Sequence, residues 1–101
     1  MVNHERRRGA MVVALSGELD HRRADQLRPE LDELLKDPKI KELVFDLSGL
    51  SFMDSAGIGM VLGRYKLMAR RGGSVSVKCV STQIDRVFEL AGLYQIVKKL
   101  A

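Results

Sequence analysis

The chain has 101 residues, 46% of them apolar, and a formal net charge of +4, which describes one small folded domain with room for a single core. With no Trp, three Phe and two Tyr, that core must be mainly aliphatic. The first apolar run, residues 11–15, is far too short for a membrane span or a signal segment, and the single cysteine, Cys79, has no internal disulfide partner, in keeping with a reducing cytoplasm.

In chain order, Val2 to Arg8 is polar and basic, and Met11, Val13 and Leu15 then alternate on one face. This predicts an exposed edge strand paired as a hairpin with a second strand over residues 10–16, with Gly9-Ala10 as the tight turn. GELD at 17–20 leads into a helix whose apolar positions, Ala24, Leu27, Leu31, Leu34 and Leu35, follow a 3.6-residue period behind Asp20 as N-cap. Pro29 falls inside this pattern and is expected to kink the helix or to start a new one. Residues 41–47 alternate again as a third strand, with Leu43, Phe45 and Leu47 opposite Val44 and Asp46. An amphipathic helix follows, marked by Ile58, Val61, Leu62, Tyr65, Met68 and Ala69 and closed by Gly72-Gly73.

Residues 74–80 form a fourth strand by the same alternation, which reads Cys79 as a small core residue beyond Val75 and Val77. Thr82 and Asp85 have capping-box spacing ahead of a helix lined by Ile84, Val87, Phe88 and Ala91 and stopped by Gly92. Residues 94–97 are expected to add a short last strand. Alternating strands and helices predict an α/β fold with a mixed, mainly parallel sheet, and the alternation within strands predicts that one sheet face is only partly covered. There are no internal repeats, low-complexity segments or linkers.

The chemistry concentrates in FMDSAGIGMVLGRYK, residues 52–66. Asp54 and Ser55 stand where the helix begins, and one of them capping it is the simplest expectation. Gly57 and Gly59 are not explained that way. Each costs up to about 1 kcal/mol relative to alanine inside a helix, so something must approach the backbone closely.

Gly57, Gly59 and Gly63 give a spacing near the dinucleotide fingerprint. That fingerprint needs a glycine directly after a strand and a carboxylate at the end of the next one. Here about ten residues separate Leu47 from Gly57, and the next strand ends Lys78-Cys79-Val80. A phosphate-binding P-loop lacks its Lys-Ser or Lys-Thr pair. A nucleophilic Ser55 would have only His4 or His21 as base, and Met53 stands where G-x-S-x-G needs its first glycine. Two histidines and one cysteine match no metal site. The basic clusters Arg6-Arg7-Arg8, Arg70-Arg71 and Lys98-Lys99 carry no interleaved aromatics. They read as solvated element ends rather than a nucleic-acid face, and they leave an acidic protein partner compatible. What remains is a hydroxyl held out at a helix start among Met53, Ala56 and Ile58, open to another enzyme.

MDSAGIG resembles the D-S-x-G-[LI]-G signature of the STAS domain, the fold of bacterial anti-sigma factor antagonists. GELDH at 17–21, LSFMDSAGIGMVLGRYK at 50–66 and AGL at 91–93 extend the resemblance in order over nearly the whole chain, toward the antagonists of sporulation. It implies a single STAS domain over residues 1–101, with a mixed four- to five-stranded sheet and helices packed mainly on one face. It also implies a non-enzymatic switch without a cofactor, which in its unphosphorylated form binds an anti-sigma factor and so releases a sigma factor. The anti-sigma factor is itself an ATP-dependent serine kinase that would inactivate the switch at the motif serine, Ser55, and a phosphoserine phosphatase would restore it. Partner contacts are expected at Asp20, His21, Met53, Asp54, Ser55, Ala56, Gly57, Ile58 and Gly59. Asp20 and His21 enter because the loop after the second strand shares an edge with residues 48–56 if the two strands are parallel. No nucleic acid or membrane is expected as partner, and the free protein is expected to be a cytoplasmic monomer. Two positions depart from the family. Ala56 stands where Ser or Thr is frequent, which leaves Ser55 as the acceptor. The sequence also reads Leu100-Ala101 where relatives continue into another helix, so part of the core's cover is expected to differ. The alternative from another class is a small nucleotide-binding domain built on Gly57, Gly59 and Gly63.

Overall fold

The structure, a computed structural model, describes residues 2–100. β1 (Val2–Arg7) and β2 (Ala10–Leu19) pair antiparallel, with Arg7 opposite Ala10. The turn is therefore Arg8-Gly9, one residue earlier than expected, because Gly9 takes the left-handed conformation (φ +70°) that a tight turn requires. Its carbonyl accepts from the amides of both Lys41 and Glu42, which ties the hairpin to the start of the third strand.

α1 (His21–Leu34) follows, then β3 (Glu42–Met53), α2 (Ser55–Arg70), β4 (Ser74–Lys78), α3 (Thr82–Leu90), a 3-10 turn at Leu93–Gln95, and β5 (Lys98–Lys99). The five strands lie in sequence order, and every neighbouring pair after the first is parallel. Three successive crossovers of the same hand send all three helices to one face. Along that face Phe45, Leu47, Val75, Val77 and Leu15 meet Leu27, Leu31, Met60, Met68, Ile84 and Phe88 in one apolar cluster. Full burial of a Phe such as Phe45 or Phe88 stabilises by about 1.5–3 kcal/mol over leaving it exposed. The other sheet face has no helix over it and carries Val12, Ala14, Asp46 and Lys78 around a shallow depression. Both the mixed sheet and its half-covered state match the alternating pattern of the strands.

Several local expectations are corrected. Pro29 does not break α1, which runs through it as one helix. Pro29 is exposed, so the carbonyl that loses its donor can be hydrated while Ala24, Leu27 and Leu31 hold the buried face. Cys79 is exposed with φ +58°: β4 ends at Lys78, and the left-handed turn that follows takes the cysteine out of the alternation. Ser81, not Thr82, caps α3 by accepting from the amide of Ile84. Gly92 (φ +70°) does end that helix, but a 3-10 turn at Leu93–Gln95 precedes the last strand, which is displaced from 94–97 to Lys98–Lys99. Tyr94 Oη donates to Asp85 Oδ1 at 2.5 Å, and Lys99 Nζ reaches the same oxygen at 2.8 Å. The C-terminal segment is thereby fastened to α3.

The buried stripe of α2 is rotated from the one read in the sequence. Gly57, Met60, Val61 and Met68 are buried, whereas Ile58 and Tyr65 flank the core, Leu62 is partly buried and Ala69 is exposed. Arg64 falls within the stripe with a side chain only 12% exposed. Its long stem does the covering that periodicity had assigned to apolar residues. Among the described residues, no helix is long and apolar enough to cross a membrane.

Candidate functional site

β2 and β3 run parallel and end together, Leu19 beside Met53, after two register shifts at Ala14/Ser16 and Gly17/Glu18. The helices that follow therefore start side by side at one sheet edge, as the shared-edge expectation for Asp20 and His21 required. Asp20 caps α1 by accepting from the amide of Arg23 at 2.9 Å.

Asp54 does more than cap. Its Oδ1 accepts from the amides of Ala56 and Gly57 at 2.9 and 3.2 Å, and its Oδ2 accepts from the amide of His21 at 3.1 Å. One carboxylate thus serves the first turn of α2 and the start of α1, accepting from donors that helix beginnings leave unpaired. Sequence reasoning had the cap but not the bridge, because the second helix start arrives through the parallel register.

Ser55 is the first residue of α2 and is exposed. Its hydroxyl takes part in none of the hydrogen bonds that build the turn, so it is chemically unengaged and open to solvent. His21 is exposed too, its Nε2 3.4 Å from Asp25 Oδ2. Ala56 and Ile58 are partly buried and Gly59 is exposed, so these form the outer surface of the first turn.

Met53 and Gly57 are placed differently from their neighbours. Met53 is 5% exposed, and a Cβ on Gly57 would lie 2.8 Å from Met53 Cγ and 3.0 Å from Leu19 Cγ. Gly57 is small so that α2 can close on its own sheet. Both residues shape the turn from beneath and offer little outer surface. At Gly59 and Gly63 an added Cβ meets nothing within 4 Å, so the reading of the glycines as clearance for an approaching partner survives at Gly59 alone within the turn. Phe52, 40% exposed, is a surface apolar residue three positions before Ser55 that the sequence reading passed over.

The nucleotide alternative must be weighed on corrected ground. β3 continues to Met53, so the ten-residue gap before Gly57 does not exist and that objection falls. Two others stand in its place. Gly57 faces the core, and the amides of Ala56 and Gly57, which would greet a phosphate at this helix start, are already taken by Asp54. Among the described residues, no cluster of His, Cys, Asp or Glu could hold a metal ion.

This arrangement has close counterparts. The STAS domain family model matches residues 1–101. An anti-sigma F factor antagonist of Paenibacillus polymyxa is 40% identical over 95 residues, covering 94% of this chain and 81% of that protein. The fold superposes on the anti-sigma factor antagonist SpoIIAA in its unphosphorylated form with a TM-score of 0.86 at 28% identity, over 100% of this chain and 89% of that one. On the phosphorylated form of the Bacillus SpoIIAA it does so with a TM-score of 0.78, also at 28% identity, over 100% and 92%. The chain therefore belongs to the STAS-domain family of anti-sigma factor antagonists.

Proposed function

We propose that this antagonist is a cytoplasmic partner-switching protein whose state is written on Ser55. Unphosphorylated, it binds an anti-sigma factor through the surface formed by Ser55, Ala56, Ile58, Gly59 and Phe52, with Asp20 and His21 beside it, and so frees a sigma factor. The anti-sigma factor, carrying ATP, acts as the serine kinase that phosphorylates Ser55 and ends the interaction, and a phosphoserine phosphatase reverses the mark. The antagonist itself is a substrate and performs no chemistry. The observation that carries the reading is the exposed, unengaged hydroxyl at the first position of α2.

The energetics favour a switch of the interface over a switch of the fold. Phosphorylation adds about −1.5 to −2 charges. At a helix start the dipole favours an anion by roughly 0.3–1 kcal/mol, but here the Asp54 carboxylate already occupies the nearest amides. Two like charges about 4 Å apart repel by about 1 kcal/mol per unit pair in water. For the whole phosphate that repulsion is about 1.5–2 kcal/mol, a net cost of about 1 kcal/mol that a folded domain tolerates. Burying that dianion against a partner without a matching cation costs several kcal/mol, which neither effect offsets.

The test is to incubate the protein with a candidate anti-sigma kinase and ATP and to map the phosphate by mass. Phosphate on Ser55, absent in Ser55→Ala while that variant still binds, is the expected result. A Ser55→Ala protein that is phosphorylated as fast as the parent overturns the assignment.

A further inference from the structure

At the far end of α2, its C-terminal half and that of α1 enclose an open cleft of about 540 Å³. Five cations line it, Lys36, Arg64, Lys66, Arg70 and Arg71, against one carboxylate, Asp32. Part of this has a simple explanation, because basic residues near helix C-termini complement the helix dipole. That accounts for Lys36, Arg70 and Arg71. Arg71 is moreover committed to the fold, with Nη1 donating to the carbonyls of Asp37 and Ile40.

Arg64 and Gly63 need another reason. Arg64 sits in the middle of α2, its Nε 3.2 Å from Asp32 Oδ1, yet its buried Nη1 has no hydrogen-bond partner. A buried guanidinium donor left unpaired is unfavourable unless something fills the vacancy. Gly63 lines the same cleft in mid-helix although a Cβ there would meet nothing. No packing contact demands a glycine, and its effect is to keep the wall open. On the rim, Lys66 and Arg70 lie four residues apart on one face of α2 with no carboxylate within ion-pair distance among the described residues.

We propose that this cleft binds an oxyanion, the phosphate or carboxylate group of a small molecule or acidic side chain, held by Lys66 and Arg70 over the charge of Arg64. Ser55 and Arg70 are about 22 Å apart along the helix, so such a ligand would leave the phosphorylation surface free.

The test is an NMR titration of the full chain with inorganic phosphate and, separately, with acetate, using sodium chloride at matched ionic strength as the reference. Saturable shifts of the Gly63 amide and the Arg64 Nε–H, with the Gly57 amide still, are expected for at least one oxyanion. Phosphate alone marks a phosphate-bearing ligand, and saturation by both marks oxyanion recognition in general. The Lys66→Ala/Arg70→Ala variant, altered only at exposed side chains, should bind at least tenfold more weakly and still be phosphorylated on Ser55. Shifts that merely follow ionic strength, or that persist unchanged in the double variant, overturn the proposal and leave a solvated basic surface. Arg64→Gln, compared with it, reports whether the buried guanidinium contributes.

Discussion

At its N-terminal end α2 presents the exposed hydroxyl of Ser55 beside Asp54, which spends both carboxylate oxygens on backbone amides. At its C-terminal end the same helix carries Lys66, Arg70 and Arg71 beside Lys36 and the half-hidden charge of Arg64. The first end holds the carboxylates of Asp54 and Asp20; the second gathers cations. On the proposed reading, a phosphate on Ser55 would add charge beside the Asp54 carboxylate, which is how one phosphate would decide whether an interface forms. The basic end, by contrast, would absorb an added anion with little consequence for docking.

The largest effect is expected on binding. Ser55→Asp should weaken the complex with the anti-sigma factor at least a hundredfold, equivalent to about 2.7 kcal/mol, with the melting temperature within a few degrees of the parent. Isothermal titration and a thermal melt check the two halves. An unchanged affinity with a collapsed fold would locate the switch inside the antagonist. The same acidic substitution made at Lys66, on the cationic end, should leave that affinity unaltered.

Next comes the bridge. Asp54→Ala removes the acceptor for three amides at two helix starts, and a lost cap alone costs about 0.5–2 kcal/mol. A destabilisation of about 2 kcal/mol in urea unfolding is expected, larger than for Asp20→Ala, which loses one such bond. Equal losses for the two would mean that the contact from His21 contributes nothing.

A smaller and signed contrast separates two glycines two residues apart. Gly57→Ala forces its new methyl into Met53 and Leu19 and should destabilise by about 1 kcal/mol, since overpacking of about 1–3 kcal/mol exceeds the helix-propensity gain of up to about 1. Gly59→Ala meets open space and should stabilise by about 0.5 kcal/mol while impeding the partner. If both substitutions stabilise, the close packing of Gly57 is not what the glycine serves.

The smallest effect is a pH dependence at the C-terminal segment. The hydrogen bond from Lys99, followed by that from Tyr94, lowers the Asp85 carboxyl below its usual value of 3.8. The folded-state value being depressed, the stabilisation is fully present above the unfolded value. It fades as pH falls from about 4 through the folded one. Hydrogen exchange in residues 94–99 should therefore quicken below pH 4 before the sheet responds. Burial, and then the contact with Asp85, pushes Tyr94 well above its usual 10, so no matching change is expected on the mildly alkaline side.

Much of this was readable in advance because the responsible forces are local. Alternation over residues 10–16 and 41–47 revealed two strands, the glycine at 92 ended a helix, and Asp20 capped one. The short signature DSAGIG carried the family. What misled was in part a local turn and in part contacts made at a distance. Cys79 looked buried until the chain turned at φ +58°. Met53 and Gly57 looked like outer surface until α2 closed on β2 and β3, and Ile58, Leu62 and Tyr65 looked innermost until Arg64 proved to lie within the buried stripe.

By itself the sequence determined the fold class, most of the elements in their order and the family signature around Ser55, since propensity, periodicity and a helix start depend on residues a few places apart. Only the tertiary structure decided which of the residues around that serine face outward, because burial depends on what the parallel register of β2 and β3 brings alongside. The same register turned Asp54 from the cap of one helix into the clasp of two.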